Sequence, residues 1–279
     1  MTTTSDLSTA TVDVQDASIP TLGFGTARMS GDECQRAVER ALEVGYRHVD
    51  TAQLYDNERA VGEAIAASDV AREDVFVVTK IHRRNAAYDD ALESTRASLE
   101  RLGLSTVDLL LLHAPSSRAP LEETLQAMNE LQDEGAVEHI GVSNFSVEQL
   151  EAARDGSETP IVANQVKYHP YHHQDELLEY CVDNDVCLTA YSPLAEGAVP
   201  GDDRLAEIGD PYDKSAAQVA LRWLIQQPNV AAIPKASRDE HIEANAALFD
   251  FELSEDELAA VADVGDGLWN RLAATIGLR

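Results

Sequence analysis

Lysine is scarce in this chain. Four residues, Lys80, Lys167, Lys214 and Lys235, are spread through 279 positions, and arginine supplies the other bases. Against 21 basic residues stand 50 acidic ones, for a net charge of −29. A surface of that sign repels nucleic acid and anionic lipid, so neither is an expected partner. Cysteine is scarce too. Cys34, Cys181 and Cys187 form no CxxC pair and no metal-ligand spacing, which excludes a disulfide framework and suits a reducing cytoplasm. No run of 18 apolar residues occurs, so no membrane-spanning helix is expected. The first eighteen residues, MTTTSDLSTATVDVQDAS, lack the apolar stretch of a secretory leader. Repeats, low-complexity runs and linker-like segments are also missing. The expectation is one domain over 1–279, cytoplasmic and monomeric.

What is present is an alternation. Eight short β-prone runs recur at 22–25, 46–50, 75–80, 107–113, 138–143, 161–166, 186–191 and 230–234. Helical patterns lie between them. Leu92, Thr95, Leu99 and Leu102 mark one face over 87–103; Leu121, Leu125, Met128 and Leu131 mark another over 121–135. A third spans 215–226. After the last strand, 239–246 and 254–265 also read as helical, with Ser254 and Glu257 at capping-box positions. Strands alternating with helices imply a parallel sheet, and eight such units imply a closed (β/α)8 TIM barrel. The alternative, an open doubly wound sheet, has in its favour only GFGTAR, a poor match to GxGxxG. Residues 1–20 precede the first strand and are expected to form an N-terminal hairpin that plugs the barrel. The helices after strand eight are extra C-terminal elements.

Several strands end in polar residues. Asp50 ends the second, Lys80 the third and His113 the fourth, and Tyr55 follows in the loop after the second. In a parallel barrel all C-terminal strand ends meet at one mouth, so these four residues should converge. Singly, each suits an ordinary ion pair or a structural hydrogen bond. Together they are complementary. A partly buried lysine needs a carboxylate, an ammonium lowers the pKa of a nearby phenol, and an imidazole can orient a carbonyl oxygen. The set reads as a proton donor aimed at a carbonyl that gains negative charge.

The motifs carry a resemblance as well. GYRHVDTAQLYDNE, VVTK at 77–80, LLLLHAP at 109–115, GVSNF at 141–145, NQVKYHP at 164–170, AYSPLAEG at 190–197 and IPKASR at 233–238 resemble, in order, the signatures of the aldo-keto reductase family, in its 2,5-diketo-D-gluconate reductase-like and aldehyde reductase-like branches. The resemblance implies a metal-free barrel enzyme that reduces aldehydes or ketones with NADPH, the product being NADP+. It implies Tyr55 as proton donor, tuned by Lys80 and Asp50, with His113 orienting the carbonyl and Ala114 beside it at the substrate. It implies that Gly25, Thr26 and Asp50 contact the cofactor, that Ser143, Asn144 and Gln165 hold the nicotinamide amide, and that Tyr191 stacks on its ring. Ser192 and Leu194 would approach the pyrophosphate. Lys235 and Arg238 would grip the adenosine 2′-phosphate, with Ser237 and Asn245 as further cofactor contacts.

The chain also departs from that pattern. Ala236 replaces a usual serine, His241 a second arginine and Ala244 a glutamate, which leaves NADH use open. Ala114 replaces a common tryptophan, and the tail carrying Trp269 and Arg271 is short; both suggest an open pocket. The acid-rich, lysine-poor surface resembles proteins of salt-loving organisms. Two other readings are weighed: a redox-sensing or regulatory subunit on the same fold, and a metal-dependent barrel hydrolase using HPYHH at 169–173 with Asp175 and Glu176.

Overall fold

A computed structural model describes residues 7–275, with side chains as far as Gly265. The chain opens with an antiparallel hairpin, β1 (Thr11–Val14) and β2 (Ala17–Pro20). Burial alternates along it, so Val12, Val14, Ala17 and Ile19 face inward. They pack on Val78, Leu109, Leu111, Ala163 and Ala231. The hairpin is therefore the plug expected from the sequence.

Eight parallel strands follow in one sheet: β3 (Phe24–Gly25), β4 (His48–Asp50), β5 (Phe76–Ile81), β6 (Val107–Leu112), β7 (Val137–Ser143), β8 (Ile161–Lys167), β9 (Cys187–Tyr191) and β10 (Val230–Ala232). Each lies within a residue or two of an expected run. The sheet closes on itself. Gly23 N donates to Ala232 O (2.8 Å), Ala232 N to Thr21 O (2.9 Å) and Gly25 N to Pro234 O (3.0 Å). Gly25 permits this seam, because a Cβ there would stand 2.8 Å from Ile233 O.

Helices cover the outside: α1 (Gly31–Val44), α2 (Glu58–Ala67), α3 (Tyr88–Leu102), α4 (Leu121–Asp133), α5 (Val147–Gly156), α6 (Asp175–Asp183), α7 (Asp203–Gly209), α8 (Ala216–Ile225), α9 (Asp239–Ala246) and α10 (Glu255–Thr275). Their apolar faces meet the outward strand residues, such as Val77, Leu110 and Leu112, in the main core. Ser254 and Glu257 form the expected capping pair, with Glu257 N donating to Ser254 Oγ (3.3 Å) and Ser254 N to Glu257 Oε2 (2.7 Å). The helix they start runs past 265 to Thr275; the side chains of Trp269 and Arg271 lie outside the described residues. Among the described residues no helix is long and apolar enough to cross a membrane.

The inward-facing residues fall into two layers with a strand period of two. Val78 lies below Lys80, Leu111 below His113, Ala163 below Gln165 and Cys187 below Thr189 and Tyr191. The lower layer is apolar and sealed by the hairpin. The upper layer is polar and opens at the mouth.

Outside the barrel, α2 and α3 cross closely at Gly62, where a Cβ would stand 2.0 Å from Leu102 O. A backbone atom cannot yield as a side chain does. Gly62→Ala should therefore lower stability by about 1–3 kcal/mol, read as a fall in the urea midpoint; an unchanged midpoint would contradict the tight crossing.

Candidate active site

The site starts from Lys80. Strand β5 carries it to the mouth on the inner face, where it is 0% exposed. A buried ammonium must be paired and hydrogen-bonded. Lys80 Nζ meets Asp50 Oδ1 at 2.5 Å and donates to Thr51 O at 2.8 Å. Asp50, 1% exposed, takes a second donor on its other oxygen, Gln165 Nε2 at 2.7 Å. Burial alone disfavours the ammonium, but Asp50 and Tyr55 outweigh it and hold Lys80 above the ordinary lysine range. The lysine stays charged.

Tyr55 sits on a 3-10 turn, Gln53–Tyr55, directly after β4. Its ring centroid is 5.0 Å from Lys80 Nζ and 5.6 Å from the His113 ring, which meets it edge-on at 84°. The four expected catalytic residues thus come together from three β/α units. One electrostatic expectation is corrected. Lys80 does pull the phenol downward, yet burial is the larger effect, and the Tyr55 pKa is raised rather than lowered. The phenol holds its proton through neutral pH, which suits a donor. Burial and then Lys80 push His113 down to about 4, so its imidazole is neutral. Its Nδ1 is buried with no protein partner.

A polar chain continues along the floor. Ser143 Oγ donates to Gln165 O (2.8 Å), and Asn144 Nδ2 donates to Ser143 Oγ and His113 O (3.0 Å each). Tyr191 OH donates to Asn144 Oδ1 at 2.9 Å. Asn144 holds φ = 61°, a left-handed conformation that asparagine tolerates better than most residues. Thr26 turns its hydroxyl onto Asp50 O (2.9 Å) and braces the strand carrying the carboxylate. Gly25 lies at the seam of the barrel. This donor set fits a planar carboxamide-bearing ring: two amides, a hydroxyl and a half-buried aromatic face stand together.

The residues expected at the phosphate lie elsewhere, after β10. Lys235, Ser237 and Arg238 are exposed, and Arg238 Nη2 meets His241 Nε2 at 2.6 Å. Asn245 is buried behind them. No hydrogen bond or ion pair joins this group to Lys80, Asp50 or Tyr55 among the described residues. Ser192 and Leu194 stand in the loop after β9, where Ser192, Ala195 and Glu196 all have positive φ. Glu196 spans to Arg28 at 3.4 Å. Ala114 is half-buried beside His113.

Some supporting residues escaped the sequence reading. Buried Glu58 accepts from Thr79 Oγ1 (2.5 Å) and Arg101 Nε (2.7 Å), fixing the start of α2 to β5 and α3. Asn57 does not cap its own helix. Its Oδ1 accepts from Thr51 Oγ1 (2.7 Å) and its Nδ2 donates to Thr26 O (2.9 Å) and Met29 O (3.0 Å). The only signal was their place just after Tyr55. At HPYHH, His169 and His172 close a tight turn, and His173 lies 3.7 Å from Asp175. No three His, Cys, Asp or Glu side chains gather to hold a metal among the described residues.

The aldo/keto reductase family profile matches residues 21–266. The chain belongs to the aldo/keto reductase family. An aldo-keto reductase of Mycobacterium tuberculosis is 42% identical over 252 residues, covering 89% of this chain and 88% of the relative. The glyoxal reductase of Bacillus subtilis is 39% identical over 241 residues, 86% of this chain and 87% of its own. A crystal structure of a putative 2,5-diketo-D-gluconic acid reductase B superposes with a TM-score of 0.90 at 47% identity, covering 91% and 90% of the two chains. A Bombyx mori aldo-keto reductase in complex with NADP gives 0.85 at 32% identity, covering 91% and 92%. The protein is an NAD(P)H-dependent oxidoreductase acting on carbonyl compounds.

Asp50→Ala would leave the Lys80 ammonium buried without its carboxylate and should cost about 3–5 kcal/mol. Denaturant unfolding measures this; a cost under about 1 kcal/mol would mean that the pair is not the anchor of the site. Acid should act through the histidines. His113 and His169 are both held down to about 4, by burial first, against an ordinary value of 6.5. Between those pH values the unfolded chain binds more protons than the native one. Stability is therefore full above about pH 6.5 and falls as pH drops toward about 4. A flat unfolding free energy across that window would contradict this.

Proposed function

We propose that the protein reduces an aldehyde or ketone to the alcohol, with NADPH as preferred reductant and Tyr55 as proton donor. The dinucleotide, when bound, supplies the hydride from its nicotinamide. The chain supplies the rest. The neutral His113 imidazole orients the carbonyl oxygen, and the protonated phenol of Tyr55 delivers a proton to that oxygen as its charge grows. Lys80 stands beside the phenol as a permanent cation and stabilises the phenolate left behind. Asp50 keeps Lys80 charged. Ser143, Asn144 and Gln165 would hold the carboxamide, and Tyr191 would stack on the ring. The observation that carries the reading is the Asp50–Lys80 pair buried beneath Tyr55 at the mouth.

The NADPH preference rests on Lys235, Ser237 and Arg238, whose cationic members suit a 2′-phosphate. Because Ala236 and Ala244 offer no polar side chain and the His241 ring is already engaged by Arg238, NADH should remain usable. The buried thiols of Cys34, Cys181 and Cys187, each pushed up to about 12 chiefly by burial, support a cytoplasmic setting. Among the described residues only Leu54 and Val182 are large exposed apolar side chains, which supports a monomer. The net charge of −29 supports work in high salt, where self-repulsion is screened.

Tyr55→Phe should lower kcat by about 10²–10⁴-fold while dinucleotide binding, followed by fluorescence, barely changes. Turnover retained in that variant would refute the role of Tyr55. With the parent protein, a higher kcat/KM for NADH than for NADPH would refute the cofactor preference.

A further inference from the structure

The mouth carries a second group of cations that the reductase reading does not use. The segments that leave β5 and β6, residues 81–88 and 113–120, read IHRRNAAY and HAPSSRAP. They hold Arg83, Arg84 and Arg118 and two histidines, and they contain no aspartate or glutamate. In a chain with 50 acids these two neighbouring stretches carry only positive charge, although exposed acids follow each of them, Asp89 and Asp90 after the first and Glu122 and Glu123 after the second.

These loops begin at the catalytic residues. Lys80 immediately precedes the first, and His113 opens the second. They are fastened to each other and to the Tyr55 turn. Ser116 Oγ donates to Arg83 O at 2.7 Å, and Gln53 Oε1 accepts from His82 N (2.9 Å) and Asn85 Nδ2 (3.0 Å). All three arginines are exposed. Among the described residues none of them has a carboxylate within 4.0 Å, whereas Arg28, Arg40, Arg72, Arg96 and Arg101 all do. The acids Asp56, Asp90 and Glu93 line a cleft beside the first loop, with Gln53, Asn85 and Arg101. His82 registers the local field: burial, then Arg84 and Arg83, push its imidazole below the ordinary value.

An anion approaching a protein of charge −29 meets net repulsion. Only a local cationic rim can reverse that near the mouth, and guanidinium is well matched to carboxylate and phosphate oxygens. The Lys235–Arg238 group lies after β10 and is assigned to the dinucleotide. We propose that Arg83, Arg84 and Arg118 form an anion-receiving rim, so that the preferred substrates are carbonyl compounds bearing a carboxylate or a phosphate ester. The proposal rests on the reductase reading above.

The test compares matched carbonyls at one fixed ionic strength: succinic semialdehyde against its methyl ester, and glyceraldehyde 3-phosphate against glyceraldehyde. The anionic member of at least one pair should have the higher kcat/KM, by about tenfold and mainly through KM; which pair shows it distinguishes carboxylate from phosphate. In Arg83→Ser/Arg84→Ser/Arg118→Ser the ratio should fall to one or below, and in the corresponding triple lysine variant it should persist. Thermal midpoints matching the parent verify that both variants fold. Anionic members no better than neutral ones, or a preference that survives the serine variant, would overturn the proposal. Turnover of no carbonyl with either dinucleotide would instead overturn the reductase reading, and this proposal with it.

Discussion

The buried ion pair of Lys80 and Asp50 is the constraint on which the rest depends. Removing an ammonium and a carboxylate from water costs several kcal/mol each, so the pair survives only if its geometry is enforced and its remaining hydrogen-bonding capacity is met. Thr51 O takes one donor of Lys80, and Gln165 supplies one to Asp50. From Gln165 the bonding runs through Ser143 and Asn144 to Tyr191. One charge pair thereby fixes side chains from five strands or their following loops, and the phenol of Tyr55 is held against a cation that cannot move away.

The barrel interior separates stability from chemistry by layer. Below, Val78, Leu109, Leu111 and Ala163 pack on the hairpin and keep water out. Above, the same strands present Lys80, His113 and Gln165. A residue two positions further along a strand passes from one layer to the other. The dry lower layer also makes the charges above it strong, because a cation near a phenol is screened little where water is excluded.

Charge is likewise divided by place. The acidic surface gives the molecule one overall sign, while many of the cations are held in ion pairs with it, as at Arg40, Arg72, Arg96 and Arg101. One group lies after β10. Another lies on the loops after β5 and β6. Arg28 bridges to Glu196 between the loops after β3 and β9. A few fixed arginines in a strongly acidic field give larger local contrasts than they would on a balanced surface.

Much of this was legible in the chain. The eight β-prone runs lie within a residue or two of the strands, and Asp50, Lys80 and His113 were visible as polar endings of apolar runs. The family signatures, from GYRHVDTAQLYDNE to IPKASR, ordered them. The sequence could not reveal the wiring of Glu58, Thr79 and Arg101, or of Asn57, because most of those partners are distant in sequence and Glu58 and Asn57 are ordinary types at a helix start. Nor could it set the direction of the Tyr55 shift. The neighbours were predictable, but how far burial would outweigh Lys80 depends on how closely the barrel packs around the ring. By itself the sequence determined which residues reach the mouth, since strand period and parallel topology leave them no other end. Only the tertiary structure decided how dry that mouth is, and so which of two opposing electrostatic effects prevails there.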